Sequence, residues 1–580
     1  MRLRQKPFIT WLKRDAPILF LYLVLTFGFT WPLVANLGAN WLAIRDSDTF
    51  VKLWDQWWLQ RSLATGQSLF YTTDLFYPVG LDLSYHSISW IVAPAGWLLT
   101  PLLGQIDAYN VTILWAVFST AYAAYLLIHY LLQNRAAAFV GGFVYGFAPY
   151  LLSHAGGHPD LVHLAPVPLA ALLLLYTFQH NGRSPWAIGG TAVLIAASAL
   201  TSLYIMVFAL LTLGPIFIFV AWETQRWRTR QFWQTALWIG GVTAVLLTIR
   251  LWPIFTNLQT LGNMIEAKYA ASAGQTDLLA LVIPSHFNPI FAPMVEPISS
   301  RFIMNYKWPA YMGILPLMLT LVALFRRAKW PEVALWFSTG LMFLLLALGP
   351  MLRFNGTLHE NIVLPAAYLT WFPPIRAVGR PDFFVLGLLL PLAVLAAYGF
   401  DFLWQQAAHT LSRQAWQTAL LLGMPLLMFE FWNGPFPGAF VEIHPFYLEL
   451  AQQPEQVALI ELPMGRQASK PYLFFQLYHQ KPMVEGLSAR TPEEAYRYIE
   501  ANPLLHHWRH EVWLNCDEMG KELDTAVSQL LQDNFRYVIL HNQDHTAHIQ
   551  PYFLYDEPVV QDEQLTVYDL RDIEQRPFCP

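Results

Sequence analysis

Apolar segments long enough to cross a bilayer recur along most of the chain. A membrane-spanning helix needs about 20 consecutive, mostly apolar residues, and eleven segments approach that length. They lie near residues 16–37, 109–132, 136–151, 161–178, 186–200, 202–222, 235–257, 308–325, 332–349, 381–403 and 415–432. The pattern predicts an all-α polytopic membrane domain of about 11 transmembrane helices over residues 1–432, with a first helix that is retained rather than cleaved.

The basic residues of the short loops indicate how the chain is oriented. Lys and Arg concentrate in the cytoplasmic loops of membrane proteins. With the N-terminus inside, the inner loops contain Arg135, Arg183, the run 226–230, the run 326–329 and Arg413. The short outer loops near 152–160 and 200–202 contain no Lys or Arg. This distribution predicts a multi-pass protein of the plasma membrane with a cytoplasmic N-terminus.

Three of the outer loops are long, at about 38–88, 258–307 and 350–380. After the first of them, the segment from Ser89 to Leu103 is apolar, but it is short and is interrupted by Pro94, Gly96 and Pro101. A full span at this point would invert every later loop. We therefore expect a re-entrant or interfacial helix, and the same parity places the tail on the extracytoplasmic side.

The tail, residues 433–580, reads as a soluble domain. Its predicted elements are strands at 457–462 and 537–540, helices at 492–501 and 521–532, and one or two closing strands within 559–570. These elements predict a small extracytoplasmic α/β domain. The chain's two cysteines, Cys516 and Cys579, lie in this region, and the sequence leaves their pairing open.

The composition excludes a soluble enzyme. Of the 580 residues, 55% are hydrophobic and 13% are charged, whereas a soluble domain carries about 25% charged residues. The net charge of -5 comes without a basic patch, which argues against nucleic acid as a partner. The sequence contains no P-loop, no dinucleotide-binding glycine fingerprint and no nucleophile elbow. Membrane lipids are therefore the partners that the composition itself predicts.

Two carboxylates follow the first apolar segment, in Asp46–Ser47–Asp48. One of them could take a proton from an attacking hydroxyl, or both could hold a divalent metal such as Mg or Mn. The alternative is that either Asp only caps the next helix. That helix carries Phe50, Trp54, Trp57, Trp58 and Arg61 at helical spacing, which predicts an interfacial helix with its Trp rings at headgroup depth.

Other polar side chains are expected at the outer face, where they could bind a substrate. They are His86, His154, His158, Asp160, Arg250, Lys268, Arg376 and Arg380. A charge at the end of a span is a functional candidate, and Arg can bind a phosphate with two hydrogen bonds. The alternatives are packed loop side chains for the histidines, snorkelling for Arg250 and interfacial anchoring for the last two arginines.

These features together resemble the bacterial polytopic glycosyltransferases of the GT-C superfamily. The resemblance rests on Asp46–Ser47–Asp48, the Trp-rich helix, and the segments 75–78, 157–160 and 376–380. It implies a polyprenyl-phosphate sugar donor and a glycan, lipid or protein acceptor. It also implies an inverting transfer in which Asp46 or Asp48 is the general base.

Two other classes of function remain open at this stage. A transporter or lipid flippase would place polar residues near the middle of the bilayer, whereas the predicted spans here are almost free of charge and the polar residues gather at the outer face. A non-catalytic membrane assembly factor would share the architecture without the reaction. The charge distribution favours transfer chemistry over transport, and an activity test separates the enzyme from the assembly factor.

Overall fold

The computed structural model describes residues 8–256, 274–325, 329–369, 378–410, 412–512, 516–542 and 557–573. In the part that carries the predicted spans, the helices are α1 (Phe8–Phe29), α2 (Asp48–Thr65), α3 (Val92–Leu103), α4 (Gln105–Leu132), α5 (Arg135–Gly146), α6 (Pro149–Ala155), α7 (Pro159–Val162), α8 (Pro166–Gln179), α9 (Pro185–Thr201), α10 (Leu203–Thr224), α11 (Arg230–Thr256), α12 (Ala292–Ser299), α13 (Ile303–Lys307), α14 (Ile314–Leu324), α15 (Trp330–Ala347), α16 (Ala366–Leu369), α17 (Phe384–Thr410) and α18 (Arg413–Phe431).

Each of the eleven predicted apolar segments overlaps at least one of these helices. Among the described residues, five helical stretches are long and apolar enough to cross a membrane, and the number rises to seven if each of two bent helix pairs is one span. One such pair is α5 with α6, which are bent by 50°. The protein is therefore a multi-pass membrane protein, but the structure does not establish the predicted number of spans.

Small residues allow the central helices to approach closely. A Cβ atom added to Gly142 of α5 would lie 2.1 Å from the Tyr22 hydroxyl oxygen and 2.7 Å from the Ala121 carbonyl oxygen. A Cβ atom at Gly399 of α17 would lie 1.9 Å from the Leu319 carbonyl oxygen. Glycine at such contacts is the usual means of close helix packing in membranes. It lets α1, α4, α5, α14 and α17 share one core.

Small antiparallel pairs lie between the helices. They are β1 (Trp41–Ala43) with β6 (Gly438–Phe440), β2 (Tyr71–Thr72) with β3 (Leu81–Asp82), and β4 (Met351–Phe354) with β5 (Thr357–Val363). The first pair joins the start of the long loop after α1 to the start of the tail.

A four-stranded sheet forms the centre of the tail. It contains β7 (Ala458–Leu462), β8 (Phe535–His541), β9 (Val560–Gln561) and β10 (Leu565–Asp569) in the order β7-β8-β10-β9. Strands β7 and β8 are parallel, and β10 is antiparallel to both of its neighbours. The helices of the tail are α19 (Pro445–Gln452), α20 (Ser469–His479), α21 (Arg497–Ala501), α22 (Pro503–His510), α23 (Cys516–Gln532) and α24 (Leu570–Ile573). The predicted strands and helices of an α/β unit are thus present, whereas Cys579 lies outside the described residues.

The long loop that follows α1 packs directly against the tail. Trp54 and Trp58 of α2 are buried in one apolar cluster with tail residues such as Leu473. The Trp54 indole N–H donates to Gln476 Oε1 of α20 at 2.7 Å. The prediction that the Trp rings of α2 face the lipid headgroups is therefore wrong, because the rings are buried; the interfacial position of α2 itself stays a prediction. The rings are buried by the tail, a contact that the local helical spacing does not encode.

We expect Trp54→Ala to destabilise the protein by about 3–5 kcal/mol, because it leaves a large cavity and an unpaired Gln476 oxygen. Trp222→Ala is the matched control, since the Trp222 side chain is 73% exposed. Thermal unfolding of the full chain in detergent measures the effect. Equal melting temperatures for the two variants would contradict the docking of the tail on α2.

Candidate functional site

The two sequence-predicted carboxylates lie where β1 leads into the N-terminus of α2. Asp46 Oδ1 accepts a hydrogen bond from the Asp48 backbone N–H at 2.9 Å. The Thr49 hydroxyl donates to the Gly156 carbonyl oxygen at 2.7 Å, which fixes this turn against the loop between α6 and α7. The partial positive charge of a helix N-terminus favours ionised carboxylates at this position. The capping role considered for Asp46 is therefore present, together with further contacts of both carboxylates.

Asp48 forms two ion pairs with side chains that are distant in sequence. Lys470 Nζ of α20 lies 2.5 Å from Oδ1, and His158 Nε2 lies 3.0 Å from Oδ2. Burial disfavours the charged carboxylate, but the hydrogen bond and charge of His158, together with the ammonium of Lys470, outweigh this effect and hold the pKa of Asp48 far below its ordinary value. The same contact with Asp48 outweighs burial at His158 and raises the pKa of the imidazole.

Asp46 is more enclosed than Asp48. Its side chain is 7% exposed, against 34% for Asp48, and its Oδ2 lies 3.3 Å from Lys307 Nζ. A Cβ atom at position 157 would lie 2.5 Å from Asp46 Oδ1, so Gly157 provides the space for this carboxylate. Asp48 is thus the more accessible of the two carboxylates.

An aromatic and cationic wall adjoins the carboxylates. The rings of His154 and Trp308 are parallel, with centroids 5.2 Å apart. The ammonium of Lys307 lies 4.6 Å and the guanidinium of Arg380 lies 4.5 Å from the Trp308 ring centroid. Within the described part of the chain, both buried ring nitrogens of His154 lack a hydrogen-bond partner. Since buried polar groups normally have partners, His154 is a candidate donor or acceptor for a bound substrate.

Arg380 is held in place by Asp382. Its Nε and one terminal nitrogen lie 3.1 Å and 2.6 Å from the two Asp382 carboxylate oxygens. The Tyr150 hydroxyl also donates to Asp382 Oδ2, at 3.0 Å. This arrangement presents the guanidinium to Trp308 and Phe383, on the side of His154.

Asp46, Asp48 and His158 are the residues near which a divalent metal would have to bind. Ligand atoms of Asp46, Asp48 and His158 lie within 4.8 Å of one another, a separation that a divalent ion could span. However, Lys307 and Lys470 already contact the two carboxylates, and a dication would have to displace both ammonium groups. The residues as arranged do not fit the Mg or Mn site considered from the sequence.

A buried network around Lys52 and Asp55 of α2 contains two other predicted residues, His86 and Asp160. Lys52 Nζ lies 3.2 Å from Asp55 Oδ2 and 3.6 Å from Asp160 Oδ2. His86 Nε2 donates to Asp55 Oδ1 at 2.6 Å, and His86 Nδ1 accepts from the Ala489 backbone N–H at 2.9 Å. Both nitrogens of His86 are thus engaged with the protein. The network anchors the outer loop to the tail.

Arg250, another predicted basic residue, contacts backbone carbonyl groups rather than the two carboxylates. Arg250 is buried, and its terminal nitrogens donate to the carbonyl oxygens of Ser84 at 3.1 Å and His86 at 3.5 Å. Lys268 and Arg376 lie outside the described residues. The structure therefore brings Asp46, Asp48, His154, His158 and Arg380 into one site. His86 of the long loop, Asp160 of α7 and Arg250 of α11 instead contact the protein around that site.

Sequence reasoning missed three residues of this site. Lys307 and Trp308 lie at the boundary between a predicted loop and a predicted span, where a Lys–Trp pair is typical of an interfacial anchor. Lys470 lies in the tail, and no local signal distinguishes it from a solvated lysine. The elaborated outer loops were the available signal, because functional residues concentrate in such loops.

Comparison with known proteins supports the fold. No family model and no curated protein matches the sequence. The arabinofuranosyltransferase AftD from Mycobacteria superposes with a TM-score of 0.58 at 14% identity over 96% of this chain. The chain spans 41% of the AftD chain. ArnT from Cupriavidus metallidurans superposes with a TM-score of 0.51 in the apo state, at 12% identity over 96% of this chain and 98% of ArnT.

The undecaprenyl phosphate complex of ArnT gives a TM-score of 0.50 at 12% identity, over 97% of this chain and 98% of ArnT. At identities this low, the superpositions show a shared fold alone. The chain has the fold of the GT-C membrane glycosyltransferases, and the fold that the resemblance implied is confirmed.

We expect Arg250→Ala to leave the Ser84 and His86 carbonyl groups unpaired, at about 1–3 kcal/mol for each buried group. The melting temperature of the full chain in detergent should fall, whereas Arg183→Ala, an exposed arginine between α8 and α9, should leave it unchanged. An Arg250→Ala variant with wild-type melting and weakened donor binding would instead identify Arg250 as a phosphate ligand.

Proposed function

We propose that this protein is an inverting glycosyltransferase that moves a sugar from a polyprenyl-phosphate donor to an extracytoplasmic acceptor, with Asp48 as the general base. The main support is the environment of Asp48. Its carboxylate is one-third exposed at the N-terminus of α2, and it is held between Lys470 and His158. An ionised, accessible carboxylate in a fixed position is what proton removal from an acceptor hydroxyl requires.

The charges around Asp48 suit a phosphate group. The cationic side chains are Arg45, Lys307, Arg380 and Lys470, and the carboxylates are Asp46, Asp48 and Asp382. These are four positive and three negative groups, and the adjoining Lys52 and Asp160 add one of each sign. The buried Arg45 Nε has no hydrogen-bond partner in the described part of the chain. This excess of positive charge favours an anion such as the donor phosphate.

Lys470 would exchange partners when the donor binds. At rest, its contact lowers the basicity of Asp48. A donor phosphate would compete for the Lys470 ammonium group. When that ammonium leaves Asp48, the pKa of the carboxylate would rise towards a value better suited to a base. Donor binding would thereby activate Asp48 as the base that deprotonates the acceptor hydroxyl, while His158 keeps the carboxylate oriented.

The reaction is a single displacement at the anomeric carbon. Asp48 takes the acceptor hydroxyl proton as the acceptor oxygen forms its bond to C1 of the sugar. The bond between C1 and the phosphate oxygen breaks, and the polyprenyl phosphate leaves with the electron pair. Lys470 and Lys307 then stabilise the negative charge on the leaving phosphate. Attack opposite the leaving group inverts the configuration at C1.

Asp46 has a positioning role in this proposal. It accepts from the Asp48 backbone N–H and contacts Lys307, so it fixes the start of α2 and one of the cations. The tail, taken as a domain from residue 433, contributes Lys470 to the site. Its proposed role is therefore to complete the site on the extracytoplasmic side.

We expect Asp48→Asn to reduce transfer by about 10²–10⁴-fold, because the variant cannot accept the proton. Asp46→Asn should reduce transfer less, since the amide oxygen can still accept from the Asp48 N–H. Glu223→Gln, at the exposed far end of α10, is the matched control and should retain full activity. The measurement follows label from a panel of radiolabelled polyprenyl-phosphate sugars into the lipid, glycan and protein fractions of native membranes.

Wild-type transfer by a folded Asp48→Asn variant would contradict the role of Asp48. A folded wild-type protein that transfers no sugar from any donor of the panel, in membranes in which a known glycosyltransferase is active, would overturn the enzyme proposal and favour the assembly factor.

A further inference from the structure

A second group of candidate ligands lies on the surface of the tail, distant in sequence from the carboxylates at α2. Glu500 belongs to α21, and His506 and His510 lie four residues apart on α22. Residues four apart on a helix project from the same face. His506 Nδ1 lies 2.7 Å from Glu500 Oε2, and His510 Nε2 lies 3.1 Å from Glu500 Oε1. The rings of the two histidines have their centroids 4.5 Å apart.

The three ligand atoms are also close to the separations found around a bound metal ion. Ligand atoms around a tetrahedral zinc ion, each about 2.0–2.1 Å from the metal, lie about 3.3 Å from one another. One atom from each of Glu500, His506 and His510 lies within 4.8 Å of the other two. Small side-chain rotations would bring the three atoms to the metal-bound separation, because all three residues are partly exposed.

Arg509 is the competitor for Glu500. Its guanidinium contacts the Glu500 carboxylate, and a metal would replace that contact. Arg509 has two other partners, since its Nε lies 3.5 Å from Glu485 Oε1 and its guanidinium lies 3.9 Å from the Tyr496 ring centroid. It can therefore leave Glu500 without becoming an unpaired buried charge.

We propose that Glu500, His506 and His510 form a binding site for a divalent transition metal of the zinc class. Two imidazoles and one carboxylate suit such ions, whereas Mg²⁺ and Ca²⁺ prefer oxygen ligands alone. The fourth position faces solvent. Bound metal would join α21 to α22 across Asn502 and stabilise the outer face of the tail. This inference does not depend on the glycosyltransferase proposal.

The test uses the full chain in detergent, purified with an affinity tag that contains no histidine and stripped with a chelator. Equilibrium dialysis against Zn²⁺, followed by elemental analysis, gives the number of bound ions. The double variant His506→Ala/His510→Ala removes two ligands. His507→Ala is the control on the same helix, because the His507 ring donates through Nδ1 to the Pro503 carbonyl oxygen at 2.7 Å. Asp48→Asn controls for binding at the other carboxylate cluster.

The wild-type protein, His507→Ala and Asp48→Asn should each bind one Zn²⁺ more than the double variant. Zn²⁺ should also raise the melting temperature of those three proteins and not that of the double variant, and an excess of Mg²⁺ should not compete. Equal Zn²⁺ binding by the double variant and His507→Ala would overturn the proposal. Absence of Zn²⁺ binding by the wild-type protein at micromolar concentrations would overturn it as well.

Discussion

The contact between Asp48 and Lys470 is the interaction on which the candidate site and the docking of the tail depend. A partly buried carboxylate is costly unless cations and hydrogen bonds compensate it. Here the compensation comes from His158 and from Lys470 of the tail. Since one of these partners belongs to the tail, the ionised carboxylate and the docked tail stabilise each other.

The contacts around this ion pair hold the tail in a fixed position over α2. Strand β1 pairs with β6 at the start of the tail. The Trp54 indole donates to Gln476, and the Met483 backbone N–H donates to the Asp74 carbonyl oxygen at 3.0 Å. Such a combination of backbone pairing, buried polar contacts and shared apolar surface positions Lys470 on Asp48. A catalytic group needs positioning of this quality to act on a substrate delivered from the membrane.

The sequence was informative where the signal was local. Apolar length predicted the helices, apolar runs predicted β7 and β8, and Asp46–Ser47–Asp48 predicted the carboxylates at the start of a helix. It was not informative where the partner is distant in sequence. Helical spacing of Trp54 and Trp58 is the same for a membrane interface and for a buried protein contact, and nothing near Lys470 indicates its contact with Asp48. The number of spans could not be read from apolar length, because a bent pair such as α5 with α6 can be one broken span or a re-entrant segment.

The most direct test of the account is a structure of the full protein with a non-hydrolysable polyprenyl-phosphate sugar. The account predicts the phosphate against Lys470 and Lys307, the Lys470 ammonium no longer on Asp48, and the anomeric carbon of the sugar facing the Asp48 carboxylate. A donor phosphate bound elsewhere, with Lys470 still paired to Asp48 and the carboxylate remote from the sugar, would contradict it.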